Sequence, residues 1–173
     1  MLGPCINASG RLDTAARSLA LLNAKTKEEA ARLAGDLTAL NQSRKALTEK
    51  GKEEAIRIIE TTELKNDRVL VVYLPDCHES LAGIIAGRIR EKYHRPAFVL
   101  TGGETSAKGS GRSIESYSMY EELVKCADLM IQFGGHPMAA GLSIEEKNIE
   151  EFRRRLNVNC CLLYTSPSPR DCS

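Results

Sequence analysis

Apolar residues recur at helical spacing, three and four positions apart, between residues 33 and 59. This stripe consists of Leu33, Leu37, Leu40, Leu47, Ala55, Ile58 and Ile59. Thr26, followed three residues later by Glu29, is the signature of a capping box, so we predict a helix from there to about Thr62. At ~1.5 Å per residue such a helix is roughly 55 Å long, which suits a connector between two domains. Two shorter helices broken near Gly51 are an equally good interpretation.

The segment before this stripe has a different character. We predict a loop over residues 3–11, which opens with a Gly-Pro step and contains a second glycine. A short helix should follow and end near Asn23, with Ser9 or Asp13 as its N-cap.

The pattern changes again after residue 67. Residues 69–74 form a continuous apolar run rich in β-branched side chains, which is typical of a buried strand. A helix is predicted over residues 80–92, and small residues within it permit close packing. We predict further strands at 96–100, 108–114 and 139–144, a helix end at 129–133, and helices at 118–126 and 149–156. Alternation of strand and helix is typical of a parallel α/β sheet.

Composition sets limits on function. The chain has 173 residues, of which 42% are hydrophobic, so it can form a core. The net charge of +1 argues against a general polyanion binder, and any nucleic-acid contact must come from locally placed Arg and Lys. No apolar run approaches the roughly 20 residues of a membrane span, and no signal-peptide pattern occurs. Cys5, Cys77 and Cys126 are isolated, without a C-x-x-C pair, so we expect reduced thiols, no zinc site and a cytoplasmic protein.

The composition changes abruptly from about residue 160. Residues 161–171 show no helical or strand period, and two Ser-Pro steps disfavour a regular element. This string resembles a translated sequencing-library adapter, and a disordered natural C-terminus is the alternative. We therefore expect residues 158–173 to be a non-native or disordered tail. No function is assigned to Cys160, Cys161 or Cys172.

Two glycine-rich stretches carry most of the functional information. Residues 109–113 read Gly-Ser-Gly-Arg-Ser, and residues 133–141 read Phe-Gly-Gly-His-Pro-Met-Ala-Ala-Gly. Glycine lets backbone N–H groups approach a ligand closely, while arginine, histidine and hydroxyl side chains donate to an oxyanion such as phosphate. Alternation along a strand would place Lys108, Ser110 and Arg112 on one face. The alternative is a glycine-kinked edge strand with an ordinary surface arginine.

The second stretch points to the same chemistry. His136 follows Gly134 and Gly135 and can donate to a phosphate, whereas the alternative is a tight turn with an exposed histidine. We favour function, because one turn rarely needs so many small residues.

Two other clusters are candidates of lower specificity. Residues 76–79 contain two carboxylates and His78, but they lie at a strand-to-helix junction, where Glu79 favours the helix N-terminus. We therefore predict no metal there, while His78 can still face a substrate. In the N-terminal segment, Asn7 and Arg11 are candidate anion contacts. No cluster supplies the ligands of a two-metal hydrolytic centre.

Taken together, these segments resemble the RecJ family of single-strand-specific DNA exonucleases, within the DHH phosphoesterases. The resemblance covers about residues 3–157. The matching segments, in order, are residues 3–12 (GPCINASGRL), 78–79 (HE) with 83–89 (GIIAGRI), 108–113 (KGSGRS) and 133–141 (FGGHPMAAG).

The resemblance implies an α/β fold, in which a long connecting helix precedes a small mixed α/β sheet domain. Residues 1–24 would end an upstream catalytic lobe, residues 25–65 would form the connecting helix, and residues 66–157 would form the DHH-associated domain. The upstream lobe, which this chain lacks, would bind Mn²⁺ or Mg²⁺ for 5′–3′ hydrolysis of single-stranded DNA in repair and recombination. A monomer is expected. Many relatives have Arg where this chain has Cys5, which removes one expected anion contact.

The resemblance also assigns roles to particular residues. Substrate-binding residues would be Asn7, Arg11, His78, Lys108, Ser110, Gly111, Arg112, Ser113, Gly134, Gly135 and His136, with His136 near the metals. Two alternatives remain open at this point: a related phosphodiesterase acting on short oligonucleotides or cyclic dinucleotides, and a single-strand-binding module without hydrolysis.

Overall fold

The computed structural model describes residues 3–12 and 15–165, without the side chains of residues 9, 11 and 162–165. The chain divides into two compact units, Met1–Lys50 and Gly51–Ser173. The first contains helices α1 (Gly3–Leu12) and α2 (Ala16–Leu22) and the first part of α3 (Lys27–Thr61).

The predicted loop over residues 3–11 is wrong, because this segment is helix α1. Pro4 lies in its first turn, where a missing N–H removes no helical hydrogen bond. Ala8 is fully buried and Cys5 is half-buried, which gives the segment a helical apolar spacing. Ser9 lies within α1 and therefore does not cap α2. Within the same unit, the Ser18 hydroxyl of α2 donates to the Ile6 carbonyl of α1 at 3.5 Å.

Helix α3 is one continuous helix, so the alternative with a break near Gly51 is wrong. The Thr26 cap of the predicted capping box is present, because the Glu29 N–H donates to Thr26 Oγ1 at 3.2 Å. The return bond differs from the prediction, since Glu29 Oε2 accepts from the Lys25 N–H at 3.2 Å and not from that of Thr26. Gly51 is explained by close packing, because a Cβ there would lie 2.6 Å from Ile85 Cδ1. Glycine thus lets the C-terminal part of α3 approach the next helix.

The second unit contains a five-stranded sheet. Its strands are β1 (Leu70–Leu74), β2 (Ala97–Thr101), β3 (Ala107–Arg112), β4 (Met130–His136) and β5 (Ala139–Ile144), in the order β1-β2-β3-β5-β4. Only β1 and β2 pair in parallel, and helix α4 (Glu79–Tyr93) connects them. The other three pairings are antiparallel. The fold class implied by the resemblance is confirmed, and the expectation of a parallel sheet is wrong.

Helices cover the two sides of this sheet unequally. Helix α4 packs against β2 and β3 on one side. On the other side, α5 (Met119–Lys125) and α6 (Ile149–Thr165) enclose the main core, in which the Phe98 and Phe152 rings meet edge to face with centroids 5.4 Å apart. The α4 side of β5 and β4 therefore remains open, which positions the site described below.

Helix α6 extends further than the sequence pattern indicates. The pattern predicts an end at Leu156, but the helix continues to Thr165, so the prediction of a tail without regular structure is wrong for residues 158–165. Phe152, Leu156 and Cys160 repeat every four residues and are buried in the core. The remaining predicted tail, residues 166–173, lies outside the described residues.

We predict that the glycine at position 111 stabilises the fold by allowing close packing in the core. A Cβ there would lie 2.5 Å from Met119 Sδ and 2.6 Å from Phe98 Cε1, so Gly111→Ala should lower the free energy of unfolding by about 1–3 kcal/mol. Gly134→Ala is the matched control, because no atom beyond its chain neighbours lies within 4 Å of the position that its Cβ would take. It should be neutral or slightly stabilising in urea unfolding, and equal losses for the two variants would contradict this explanation.

Candidate functional site

The open side of the sheet carries three rows of residues that run across β3, β5 and β4. In each row, a residue of β3 pairs with one of β5, which pairs with one of β4. The rows are Arg112–Ala139–His136, Ser110–Gly141–Gly134 and Lys108–Ser143–Gln132. We call these nine residues the polar face. The predicted alternation of Lys108, Ser110 and Arg112 is confirmed by this register.

The first row brings the two glycine-rich stretches together. Arg112 and His136 lie two strands apart, so their backbones are separated by roughly 10 Å, or two strand spacings. Ala139 lies between them, and Gly141 and Gly134 occupy the adjacent row. The floor between the guanidinium and the imidazole is therefore low, and a ligand can approach the backbone closely.

Arg112 is held by helix α4 and by its own strand. Its Nη1 donates to the Gly111 carbonyl at 2.7 Å. A Cβ at Gly83 of α4 would lie 2.7 Å from Arg112 Nη2 and 3.4 Å from Ser110 Oγ. The absence of a side chain at residue 83 therefore makes room for the guanidinium and the hydroxyl.

His136 is exposed at the other end of the row. Its Nδ1 accepts a hydrogen bond from the Met138 N–H at 3.3 Å. This contact assigns the proton of the neutral ring to Nε2, which then serves as a donor to a ligand.

Lys108, in the third row, forms an ion pair with a carboxylate. Its Nζ lies 2.6 Å from Glu79 Oε2, at the first residue of α4. His78 is the N-cap of this helix and accepts from the Ser80 N–H at 3.2 Å. His78 thus has a structural role in starting α4, and its contact with a substrate remains a prediction.

Ser113 and Gly111 do not belong to the polar face. Ser113 is 1% exposed, its hydroxyl donates to the Tyr117 carbonyl and its N–H to the Met138 carbonyl. The prediction that Ser113 donates to phosphate is therefore wrong, because both donors are already used in the interior. Gly111 faces Phe98 and Met119, so its glycine is required by the core and not by a ligand.

The remaining candidates are explained by the hairpin or lie in the N-terminal unit. Gly135 has a φ of 152°, and a Cβ there would lie 2.4 Å from the Ala139 carbonyl oxygen, so the backbone of the β4–β5 hairpin explains this glycine. Asn7 is exposed on α1. The side chain of Arg11 lies outside what the structure describes.

Sequence reasoning missed three participants: Ser143, Gln132 and Gly83. The first two could have been found by pairing the strands on either side of Pro137-Met138 as a hairpin, because alternation then places Gln132 opposite Ser143 on the face that carries His136. Gly83 required knowledge of how α4 lies on the sheet.

Two of the thiols, those of Cys77 and Cys126, are not activated nucleophiles. Burial raises the pKa of Cys126 to about 11 and also raises the pKa of Cys77, so both thiols remain protonated near neutral pH. Within residues 3–12 and 15–165, no three or more His, Cys, Asp or Glu side chains form a group that could hold a metal ion. In the same part of the chain, no helix is both long and apolar enough to cross a bilayer.

Comparison with known proteins identifies the class. The family model of the DHHA1 domain matches residues 66–160, which is more than half of the chain. The chain therefore belongs to the DHHA1 domain family.

The individual relatives are RecJ proteins. The chain is 43% identical over 162 residues to the single-stranded-DNA-specific exonuclease RecJ of Salmonella typhimurium, an alignment that covers 89% of this chain and 28% of the relative. RecJ from Thermus thermophilus in complex with Mg²⁺ superposes with a TM-score of 0.83 at 32% identity, over 97% of this chain and 26% of that one. The same protein in complex with Mn²⁺ gives 0.81 at 32% identity, over 97% and 24%. The resemblance to RecJ is confirmed, and the chain spans about a quarter of these relatives.

We predict that Ser113 and Ser110, which lie three residues apart, contribute very differently to the free energy of unfolding. Ser113→Ala removes a buried hydrogen bond and leaves the Tyr117 carbonyl without that donor, so the free energy of unfolding should fall by about 1–3 kcal/mol. Ser110→Ala is the matched comparison, because Ser110 is half-buried on the polar face, and it should change stability by less than about 0.5 kcal/mol. Urea unfolding measures both, and a larger loss for Ser110→Ala would contradict the assignment.

Proposed function

We propose that this chain is the substrate-binding part of a RecJ-type exonuclease that hydrolyses single-stranded DNA in the 5′–3′ direction. The observation that carries the proposal is the row in which Arg112 and His136 share one open face of the sheet. The matching RecJ relatives support the same activity for the whole enzyme.

The chemistry of the polar face suits a phosphodiester. Arg112 supplies a permanent positive charge with several donors, and the hydroxyl of Ser110 lies near the guanidinium. His136 Nε2 supplies a donor from the opposite end of the row. Because glycine and alanine form the floor, an extended strand can lie against the backbone without displacing side chains.

Metal ions belong to another part of the enzyme in this proposal. The described residues do not fit a two-metal site, since no three of their potential ligands group together. Mn²⁺ or Mg²⁺ would therefore be held by an upstream lobe, to which residues 1–24 belong and which residues 25–65 connect to the DHHA1 domain. Asn7 and Arg11 would be further contacts to the DNA. We place the enzyme in the cytoplasm, as a monomer that acts in DNA repair and recombination.

We predict that Arg112→Ala weakens binding of the 173-residue chain to single-stranded DNA. Loss of one phosphate contact should also flatten the dependence of the logarithm of the binding constant on the logarithm of salt concentration by about 0.7. Fluorescence anisotropy with labelled octathymidylate at several salt concentrations measures both effects. Arg154→Ala is the matched control, because Arg154 is an exposed residue of α6 that pairs with Glu151. An unchanged salt slope for Arg112→Ala would remove Arg112 from the phosphate contacts.

We also predict that the chain by itself binds single-stranded DNA without cleaving it, even when Mn²⁺ is present, because its described residues offer no metal-binding group. Incubation of end-labelled oligonucleotides with purified chain, followed by gel electrophoresis, tests this. Robust cleavage that requires Mn²⁺ would contradict the proposal that the metal ions are held by another part of the enzyme. Binding of dinucleotides only would instead favour a phosphodiesterase for short oligonucleotides.

A further inference from the structure

One flank of helix α4 borders the open side of the sheet and ends in an arginine. Four residues recur at spacings of four, three and four positions, so they share one side of the helix. They are Glu79, Gly83, Ala86 and Arg90. The first two adjoin strand β3, because Glu79 pairs with Lys108 and a Cβ at Gly83 would lie 2.7 Å from Arg112 Nη2. Arg90 therefore lies on the flank that borders the polar face, roughly 10 Å beyond Gly83 along the helix axis.

The Arg90 guanidinium is weakly held by its surroundings. Its side chain is 35% exposed, and its Nε is buried without a hydrogen-bond acceptor among the described residues. Its Nη2 lies 3.6 Å from Glu91 Oε1, which is an ion pair but too long for a hydrogen bond. Because an arginine carries five N–H donors and keeps its charge at all physiological pH values, this side chain retains the capacity to bind an anion.

Glu91 is shared between two arginines. Its Oε2 accepts from Arg88 Nη1 at 3.1 Å, a shorter contact than the one with Arg90. Residues 88–92 carry three positive charges, on Arg88, Arg90 and Lys92, and one negative charge, on Glu91. The dipole at the C-terminal end of α4 offsets only about half of one charge. This end of the helix is therefore positive as a whole and attracts anions.

The surface between Gly83 and Arg90 carries no long side chain. Ala86 is fully buried, and Gly87 lies one turn after Gly83 and one turn before Arg90. No atom outside the helix backbone lies within 4 Å of the position that a Cβ of Gly87 would take, so packing does not explain this glycine. Glycine inside a helix costs roughly 0.5–1 kcal/mol relative to alanine. The missing side chain keeps the helix backbone open to a ligand that passes from the polar face towards Arg90.

We propose that Arg90 binds a second phosphate of the DNA strand, beyond the phosphate at Arg112, and that the strand runs along α4 between the two arginines. The inference rests on the proposed function, because it extends the substrate path of the same site. In it, the phosphate replaces Glu91 as the partner of Arg90, while Glu91 stays paired with Arg88.

The first test measures the binding of labelled octathymidylate to the 173-residue chain by fluorescence anisotropy at several salt concentrations. Arg90→Gln should flatten the salt slope by about 0.7 and weaken binding at low salt by up to about fivefold. Arg90→Lys keeps the charge and should keep the slope. Lys92→Gln is the matched control, because Lys92 is an exposed cation of the same helix and residues two apart do not share a face.

The second test asks whether the two arginines hold different phosphates. If they do, Arg90→Gln combined with Arg112→Ala should flatten the salt slope by about 1.4, the sum of the two single effects.

The third test concerns the competition with Glu91. Glu91→Gln should raise the affinity for octathymidylate about twofold, because it releases Arg90 for the phosphate. The same substitution should give no gain in the Arg90→Gln background. A gain that persists there overturns the competition between Glu91 and the phosphate.

The outcomes separate this inference from the proposed function. An unchanged salt slope in Arg90→Gln overturns the second phosphate contact, while phosphate binding by Arg112 stands. Equal flattening by Lys92→Gln overturns it as well, because the effect is then a long-range attraction by net charge. A combined variant no flatter than Arg112→Ala alone shows that both arginines hold one phosphate, which overturns the proposed path. Failure of the wild-type chain to bind octathymidylate overturns the proposed function and this inference with it.

Discussion

The antiparallel register of β3, β5 and β4 is the constraint on which the candidate site depends. It aligns Arg112, Ala139 and His136 in one row, although Arg112 and His136 are far apart in the sequence. Because side chains alternate between the two sides of a sheet, a shift of one residue in either pairing would move a complete set of polar side chains into the core. The core residues Leu142 and Ile144, on the opposite side of β5, therefore fix the positions of the residues on the open face.

The glycines of the two glycine-rich stretches face two different environments, the core and the open side of the sheet. Gly109 and Gly111 face the core, where Leu100, Phe98 and Met119 occupy the space that a Cβ would need. Gly134 and Gly141 face the open side, where little surrounds them. A strand that alternates serine or arginine with glycine can thus present donors on one side while large core side chains pack closely on the other. The motif therefore serves core packing on one side of the sheet and, in the proposed function, phosphate binding on the other.

The sequence was informative wherever a local pattern determined the structure. The capping box of Thr26 and Glu29, the apolar run that became β1, and the alternation of Lys108, Ser110 and Arg112 all rest on neighbours in the chain. The sequence was less informative where contacts between residues far apart in the chain determine the orientation of a side chain. Ser113 resembles its neighbour Ser110 in sequence, but its hydroxyl turns inward to Tyr117, and only the fold separates the two. Residues 3–11 and 158–165 lie in helices, where Ala8 and Cys160 are buried although the composition of those segments does not indicate a helix.

The close approach of α4 to Arg112 has a consequence for binding energetics. An arginine loses up to about 2 kcal/mol of rotamer entropy when it is immobilised, and on a mobile surface that loss opposes the association with a ligand. Here the gap left by Gly83 and the hydrogen bond to the Gly111 carbonyl hold the guanidinium before any ligand arrives. The ordering cost is thus met during folding, and the side chain is preorganised, so that more of its attraction to an anion is expressed as affinity.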